Sequence, residues 1–313
     1  MSVQAILRAS RTAALGAIAS VALWTSAPAG GAADPALPDF DATSSLLIIA
    51  PHPDDETLCC AGAIRRALSA GGRASVAWLT SGDGSELGLL MLEKSLFLNP
   101  AKMRDLAERR TREARNAAAA LGIPESGLFF LGYPDRGLLE LATDYYLTPY
   151  HSTFNGSSSV PYSFALSPGR PYTGESLERD LAEVLERVKP TLVLAPTPED
   201  EHPDHRAGGI VAMRVLARIQ PRPEVRYWIV HGGEGWPTPG GLHADLTQTP
   251  APRARELLPQ SLLLSSEEEA RKLQALRAYE SQIKVMSAYL LSFVRRTELY
   301  STAPMPQPAA PGR

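Results

Sequence analysis

Along most of this chain, strand-length runs of apolar residues alternate with longer segments of helical period, and no other feature restricts the fold so tightly. Residues 46–50, 75–80, 128–131, 191–195 and 225–230 read as strands, whereas 58–70, 101–121, 177–188 and a segment from about 205 read as helices. The strands are apolar throughout rather than at every second residue, so both of their faces must be covered. The expected class is α/β, a mostly parallel sheet with helices on both faces. Ligands of such sheets gather at the carboxyl ends of the strands, which makes the residues just after each run the place to look for chemistry.

Two polar clusters stand there. Pro51-His52-Pro53-Asp54-Asp55-Glu56 ends the first run, and Glu199-Asp200-Glu201-His202-Pro203-Asp204-His205 follows the fourth; together they hold three of the chain's six histidines. Taken alone, each could be a solvated turn and helix cap, with Asp204 favoured by the helix dipole. Two such clusters at strand ends of one sheet can meet in space. A catalytic zinc takes about three N/O protein ligands and keeps a further position for water, and His52, Asp55 and His205 would serve. Neighbouring residues in extended backbone project oppositely, so one of Asp54 and Asp55 ligates and the other stays free. The free carboxylate can take a proton from metal-activated water as it attacks a carbonyl. His202, opposite that base, would stabilise an oxyanion and protonate an amine leaving group, with Asp204 orienting it.

On these motifs the chain resembles the LmbE-like or PIG-L deacetylases, which carry a PHPDDE-type motif and a later HPDH-type motif on a Rossmann-like sheet. Also similar are Leu79-Thr80-Ser81-Gly82-Asp83-Gly84, the segment from Arg109-Arg110-Thr111-Arg112-Glu113 to Leu121-Gly122, Phe130-Leu131-Gly132-Tyr133-Pro134-Asp135 and Tyr279-Glu280-Ser281-Gln282. The resemblance covers nearly the whole of residues 34–303. It implies Zn²⁺ on His52, Asp55 and His205, Asp54 as base, His202 assisting the tetrahedral intermediate with Asp204 in support, and Arg110 and Asp135 on sugar hydroxyls. The implied reaction is removal of an acetyl or other acyl group from an N-acetylated amino sugar or glycoconjugate, a linear-amide hydrolysis.

A formal charge of −3 with no Lys/Arg cluster gives no electrostatic case for nucleic acid, so a small or glycan substrate carrying an N-acetyl group is the expected partner. Arg8 and Arg11 precede an uncharged run over 12–24 and the small-residue stretch Ala27-Pro28-Ala29-Gly30-Gly31-Ala32, which marks residues 1–33 as a secretory leader and linker. Export to the periplasm or beyond is expected, without a stable membrane span, because the run is shorter than the roughly 20 residues that a span needs. The Pro/Ala-rich stretches 33–38 and 304–313 are expected to be disordered.

Cys59 and Cys60 are neighbours, read as part of a small-residue helix face and too close for an ordinary bridge. The aromatic-rich segment 145–173 is either a substrate rim or a loop packed on its own tyrosines. His231, in His231-Gly232-Gly233-Glu234-Gly235-Trp236-Pro237 after the last run, is a candidate substrate contact at a strand end, with Trp236 as a possible wall. Residues from 265 onward read as one capped helix with Leu273, Leu276, Tyr279, Ile283 and Met286 on a core-facing stripe. Two rivals remain. A non-haem iron oxygenase could use the same two-histidine, one-carboxylate triad, but it would leave Asp54 and His202 without roles. A non-catalytic glycan-binding module would have no reason to keep every catalytic group.

Overall fold

A computed structural model describes residues 36–85 and 99–306. Strands β1 (Ser45–Ala50), β2 (Arg73–Thr80), β3 (Leu128–Tyr133), β4 (Leu192–Pro196) and β5 (Glu224–Trp228) form one parallel sheet in the order β3-β2-β1-β4-β5. The helices are α1 (Asp55–Ser69), α2 (Pro100–Leu121), α3 (Leu138–Ala142), α4 (Gly174–Val188), α5 (Pro203–Leu216), α6 (Ser266–Arg277) and α7 (Glu280–Leu291).

Strand β1 shows why the runs are apolar at every position. Leu46, Ile48 and Ala50 face a core shared with α1, α2, α6 and α7, while Leu47 and Ile49 face a second core shared with α3, α4 and α5. Each large aliphatic so buried contributes about 1.5–3 kcal/mol. The topology also locates the site. The chain runs outward from β1 through β2 to β3, then returns to β4 on the other side of β1. The crevice between the carboxyl ends of β1 and β4 is therefore a switch point, where loops splay apart and leave room for a ligand.

The C-terminal part departs from expectation. The single helix from 265 is two, because the backbone leaves helical geometry at Tyr279 (φ −81°, ψ 59°). The hydroxyl of Tyr279 instead donates to buried Glu56 at 2.7 Å. A capping box of Ser265 and Glu268 starts α6 as the sequence indicates. Strands β6 (Gln260–Leu263) and β7 (Thr297–Tyr300) pair antiparallel, an element without a clear sequence signal.

Three smaller expectations are also corrected. Ala36 and Leu37, in the stretch expected to be disordered, are buried in the core. Pro304, first residue of the expected tail, accepts a hydrogen bond from Thr197 through its carbonyl. Cys59 and Cys60 are joined by a disulfide, their Cα atoms 3.7 Å apart. Adjacency does not prevent the bond, but it closes only a small local ring and ties no distant segments together. The leader at 1–33 and residues 307–313 of the tail lie outside the described residues. No helix among the described residues is long and apolar enough to cross a membrane.

Candidate active site

The loop after β1 turns sharply into α1. Asp54 holds φ 121°, a conformation that costs about 1–3 kcal/mol for a residue with a side chain and that clusters at functional sites. Its amide donates to Glu56 Oε2 at 3.3 Å, and its carbonyl accepts from the amides of Thr57 and Leu58 at 3.0 Å each, which holds the turn. The two aspartates diverge for this reason, not because the backbone is extended. Asp54 Oδ2 lies 3.2 Å from Arg110 Nη2, whereas Asp55, in the first turn of α1, faces the histidines.

His52 Nδ1 and His205 Nε2 are 3.2 Å apart. Asp55 Oδ2 is 3.4 Å from the former and 3.2 Å from the latter. Three ligands bound tetrahedrally at about 2.0–2.1 Å from one ion stand about 3.3–3.4 Å from each other, so these three atoms fit a metal such as zinc. Two other triads, His52/His202/His205 and His52/Asp135/Asp204, each offer donors within 4.8 Å of one another. In the second it is the opposite nitrogen of His52 that meets the carboxylates, Nε2 lying 3.2 Å from Asp204 and 3.3 Å from Asp135. His205 likewise turns Nδ1 to Asp200 Oδ2 at 3.1 Å. Carboxylates on the far nitrogens fix the tautomers that leave the near ones free to ligate.

Charge separates these imidazoles from their neighbours. Burial opposes a charged His52, yet Asp135, Asp204 and Asp55 raise it well above the ordinary imidazole value. Burial likewise opposes a charged His205, which Asp55 and Asp200 raise to about 9. The space between them therefore favours positive charge. His202 is pushed down to about 2, by burial first and then by the other histidines, and His231 to about 4, by burial and then His205. Both stay neutral at pH 7. His202 caps α5, its Nδ1 accepting from the Asp204 amide at 3.2 Å, so its proton sits on Nε2.

The support expected from Asp204 is thus corrected. Its backbone holds His202, while its carboxylate accepts from the amides of Arg136 at 2.6 Å and Leu138 at 3.0 Å and reaches His52. Position in the helix decides this: two residues past the cap, the side chain points at His52 and the Arg136 and Leu138 amides rather than back at residue 202.

Arg110, Asp135 and His231 all reach the same cleft, a cavity of about 280 Å³ lined also by His52, Asp54, Asp55 and His202. Arg110 donates to the carbonyls of Pro53 at 2.6 Å and Gly82 at 3.3 Å. A Cβ on Gly82, whose φ is +70°, would stand 2.4 Å from the guanidinium carbon, so only glycine admits Arg110 there. Asp135 is fixed by the Gly84 amide at 2.9 Å. Burial dominates at the Asp54 carboxyl and lifts it to about 7 against the attraction of Arg110, with repulsion from Asp55 adding to the rise.

The 145–173 segment packs instead of lining the cleft. Tyr162 and Asn155 both donate to Asp83 Oδ2, at 2.5 and 2.6 Å, and Asp83 Oδ1 accepts from the Asp135 amide at 2.9 Å. Its polar groups hold the site from behind. Trp236 is no wall either; its indole donates to the Thr249 carbonyl at 3.0 Å and packs on Phe293. Sequence reasoning assigned nothing to Asp200, although it lies inside the second cluster. Asp200 Oδ2 accepts from the amides of Val230 and His231 at 3.0 Å each as well as meeting His205, tying the segment after β5 to that imidazole. Tyr289 carried no local signal; its hydroxyl donates to the Val230 carbonyl at 3.0 Å and lies 3.3 Å from His231 Nδ1.

Known proteins resemble this chain in sequence or in fold. A 1D-myo-inositol 2-acetamido-2-deoxy-alpha-D-glucopyranoside deacetylase of Kineococcus radiotolerans is 31% identical over 172 residues, 53% of this chain and 43% of that protein. A diacetylchitobiose deacetylase of Thermococcus kodakarensis is 24% identical over 181 residues, 57% of this chain and 51% of that protein. The chain spans about half the length of these relatives. The A40926 pseudoaglycone deacetylase Dbv21 shares the fold with a TM-score of 0.54 at 18% identity, covering 82% of this chain and 96% of that one. Residues 47–216, more than half of the sequence, match the family described as PIG-L, GlcNAc-PI de-N-acetylase. They include both polar clusters, and the chain belongs to that family.

Proposed function

We propose that this protein is a zinc-dependent hydrolase that removes the acyl group from an N-acylated amino sugar or glycoconjugate. The observation that carries it is the triangle of His52 Nδ1, Asp55 Oδ2 and His205 Nε2, with edges of 3.2 to 3.4 Å. Its relatives' activities on acetamido sugars support the substrate class. The leader-like residues 8–32 support a substrate outside the cytoplasm.

Bound on His52, Asp55 and His205, zinc would supply Lewis acidity and bring the pKa of a coordinated water near 7. The chain's residues do the rest. Asp54, beside Asp55 but outside the ligand set, accepts a proton as water adds to the amide carbon, and the same carboxyl can return it to the nitrogen as the C–N bond breaks. The products are a carboxylate and the protonated amine, which carries the second proton of the water. His202, neutral with its proton on Nε2, donates a hydrogen bond to the oxyanion. Burial, which lowers its pKa, favours this hydrogen-bond-donor role. Arg110, whose buried Nε has no hydrogen-bond partner, and Asp135 offer a donor and an acceptor to sugar hydroxyls, and His231 closes the far side.

Incubation of the purified protein with N-acetylated sugars and oligosaccharides, with and without chelator, tests this. Acetate should be released, lost with chelator and restored by zinc, and His205→Ala should neither hold zinc nor turn over. Iron bound in place of zinc, or His205→Ala retaining stoichiometric zinc, removes the proposal.

A further inference from the structure

The cleft has a second wall that the chemistry above does not use. Leu58, Val230, Met286, Tyr289 and Leu290 face the same 280 Å³ cavity as the histidines and aspartates. Leu58 stands one helical turn beyond Asp54 and Asp55 on α1, and Val230 directly precedes His231. The apolar surface therefore starts beside the reacting atoms and continues outward along α7. Leu58, Val230 and Leu290 belong to the packed core, with Met286 and Tyr289 half-buried against it, so the wall is firm behind and, among the described residues, open in front. At Met286 the backbone of α7 departs from helical geometry (φ −135°, ψ 36°), at the residue that reaches the cavity.

A sugar ring would gain little here. Its hydroxyls need hydrogen-bond partners, and aliphatic side chains offer none. The one aromatic ring, Tyr289, is stacked on His231 with centroids 5.9 Å apart, and its hydroxyl is bound to the Val230 carbonyl. The charged donor and acceptor for sugar are Arg110 and Asp135; on α7 only the amide of Gln282, whose nitrogen donates to Ser281, interrupts the apolar row lining the cavity. An amide held at the metal ligands has two substituents, the sugar on nitrogen and the alkyl group on carbon. With the sugar on the polar side, the alkyl group is the one that meets the apolar wall. An acetyl methyl needs roughly the room of one water, about 30 Å³, and would leave most of that wall wet. Methionine, unbranched and polarisable, suits a flexible chain.

We propose that this wall is an acyl-chain subsite and that the natural substrate carries an N-acyl group longer than acetyl. The inference rests on the deacylase function proposed above. Two substrate series test it on the zinc-loaded protein: N-acylglucosamines from acetyl to decanoyl, and alkyl glycosides of N-acetylglucosamine with the same chain lengths on the anomeric oxygen. In the first series kcat/KM should rise about fourfold per added methylene until the wall is covered; in the second it should stay flat. Met286→Trp, which fills the space, and Met286→Gln, which keeps the size but adds an amide, should each lower the octanoyl-to-acetyl ratio at least tenfold in protein that retains its zinc. A fall in rate with acyl length overturns the inference and leaves the deacylase standing, as does a rise confined to the alkyl glycosides, which would assign the wall to an aglycone. Unchanged ratios in both zinc-loaded Met286 variants overturn it too. No hydrolysis at any length overturns the deacylase and the subsite together.

Discussion

On one side of the cleft, the loops after β1 and β4 crowd aspartates and histidines together; on the other, α7 presents Met286, Tyr289 and Leu290. The first wall is held by polar contacts that must all be satisfied, since each buried carboxylate is costly without partners. Asp200 alone accepts from three amides and meets His205. The second is held by packing and tolerates exchange of one apolar group for another. The two sides should therefore respond to substitution very differently: single atoms matter on the first, and volume and polarity on the second.

The sharpest test of that contrast is Asp54→Asn, which keeps the shape and removes the base. Turnover should fall by about 10² to 10⁴ with zinc content nearly intact; metal analysis beside kcat checks it, and full activity would free Asp54 from any chemical role. Asp200→Ala comes next. Loss of the partner behind His205 should weaken zinc binding by about 10- to 100-fold, read by competition with a chelator, and unchanged affinity would make Asp200 only a brace for β5. The smallest effect belongs to the apolar side. Tyr289→Phe keeps the ring and removes one hydroxyl, at a cost of about 1 kcal/mol, seen as a melting temperature lower by about 2–4 °C. A loss of activity as large as that of Asp54→Asn would mean that Tyr289 acts in the reaction and would erase the distinction between the walls.

The sheet was legible because burial on both faces leaves an unbroken apolar run, and β1 to β5 match those runs to within a few residues. The cluster of His52, Asp55 and His205 was legible for a related reason: polar residues at the end of a buried strand stand out against it. Tyr279 shows the limit. Its apolar spacing with Leu276 and Ile283 continues a helical stripe, but the pull of buried Glu56, 223 residues away, takes it out of the helix. The 145–173 tyrosines were ambiguous likewise, because an aromatic ring suits a substrate or a core equally, and only the position of Asp83 decided it.

By itself the sequence determined the alternation of strands and helices and the strand ends near which His52, Asp55 and His205 lie. Those depend on local pattern and on residue chemistry, which the chain carries in order. Tertiary structure alone decided which carboxylate stands behind which imidazole, that burial and the neighbouring histidines lower the pKa of His202, and that α7 brings Met286, Tyr289 and Leu290 to the cleft of His52 and Asp55. Each of these is set by the field or the surface of residues far away along the chain, and folding brings them within a few ångströms.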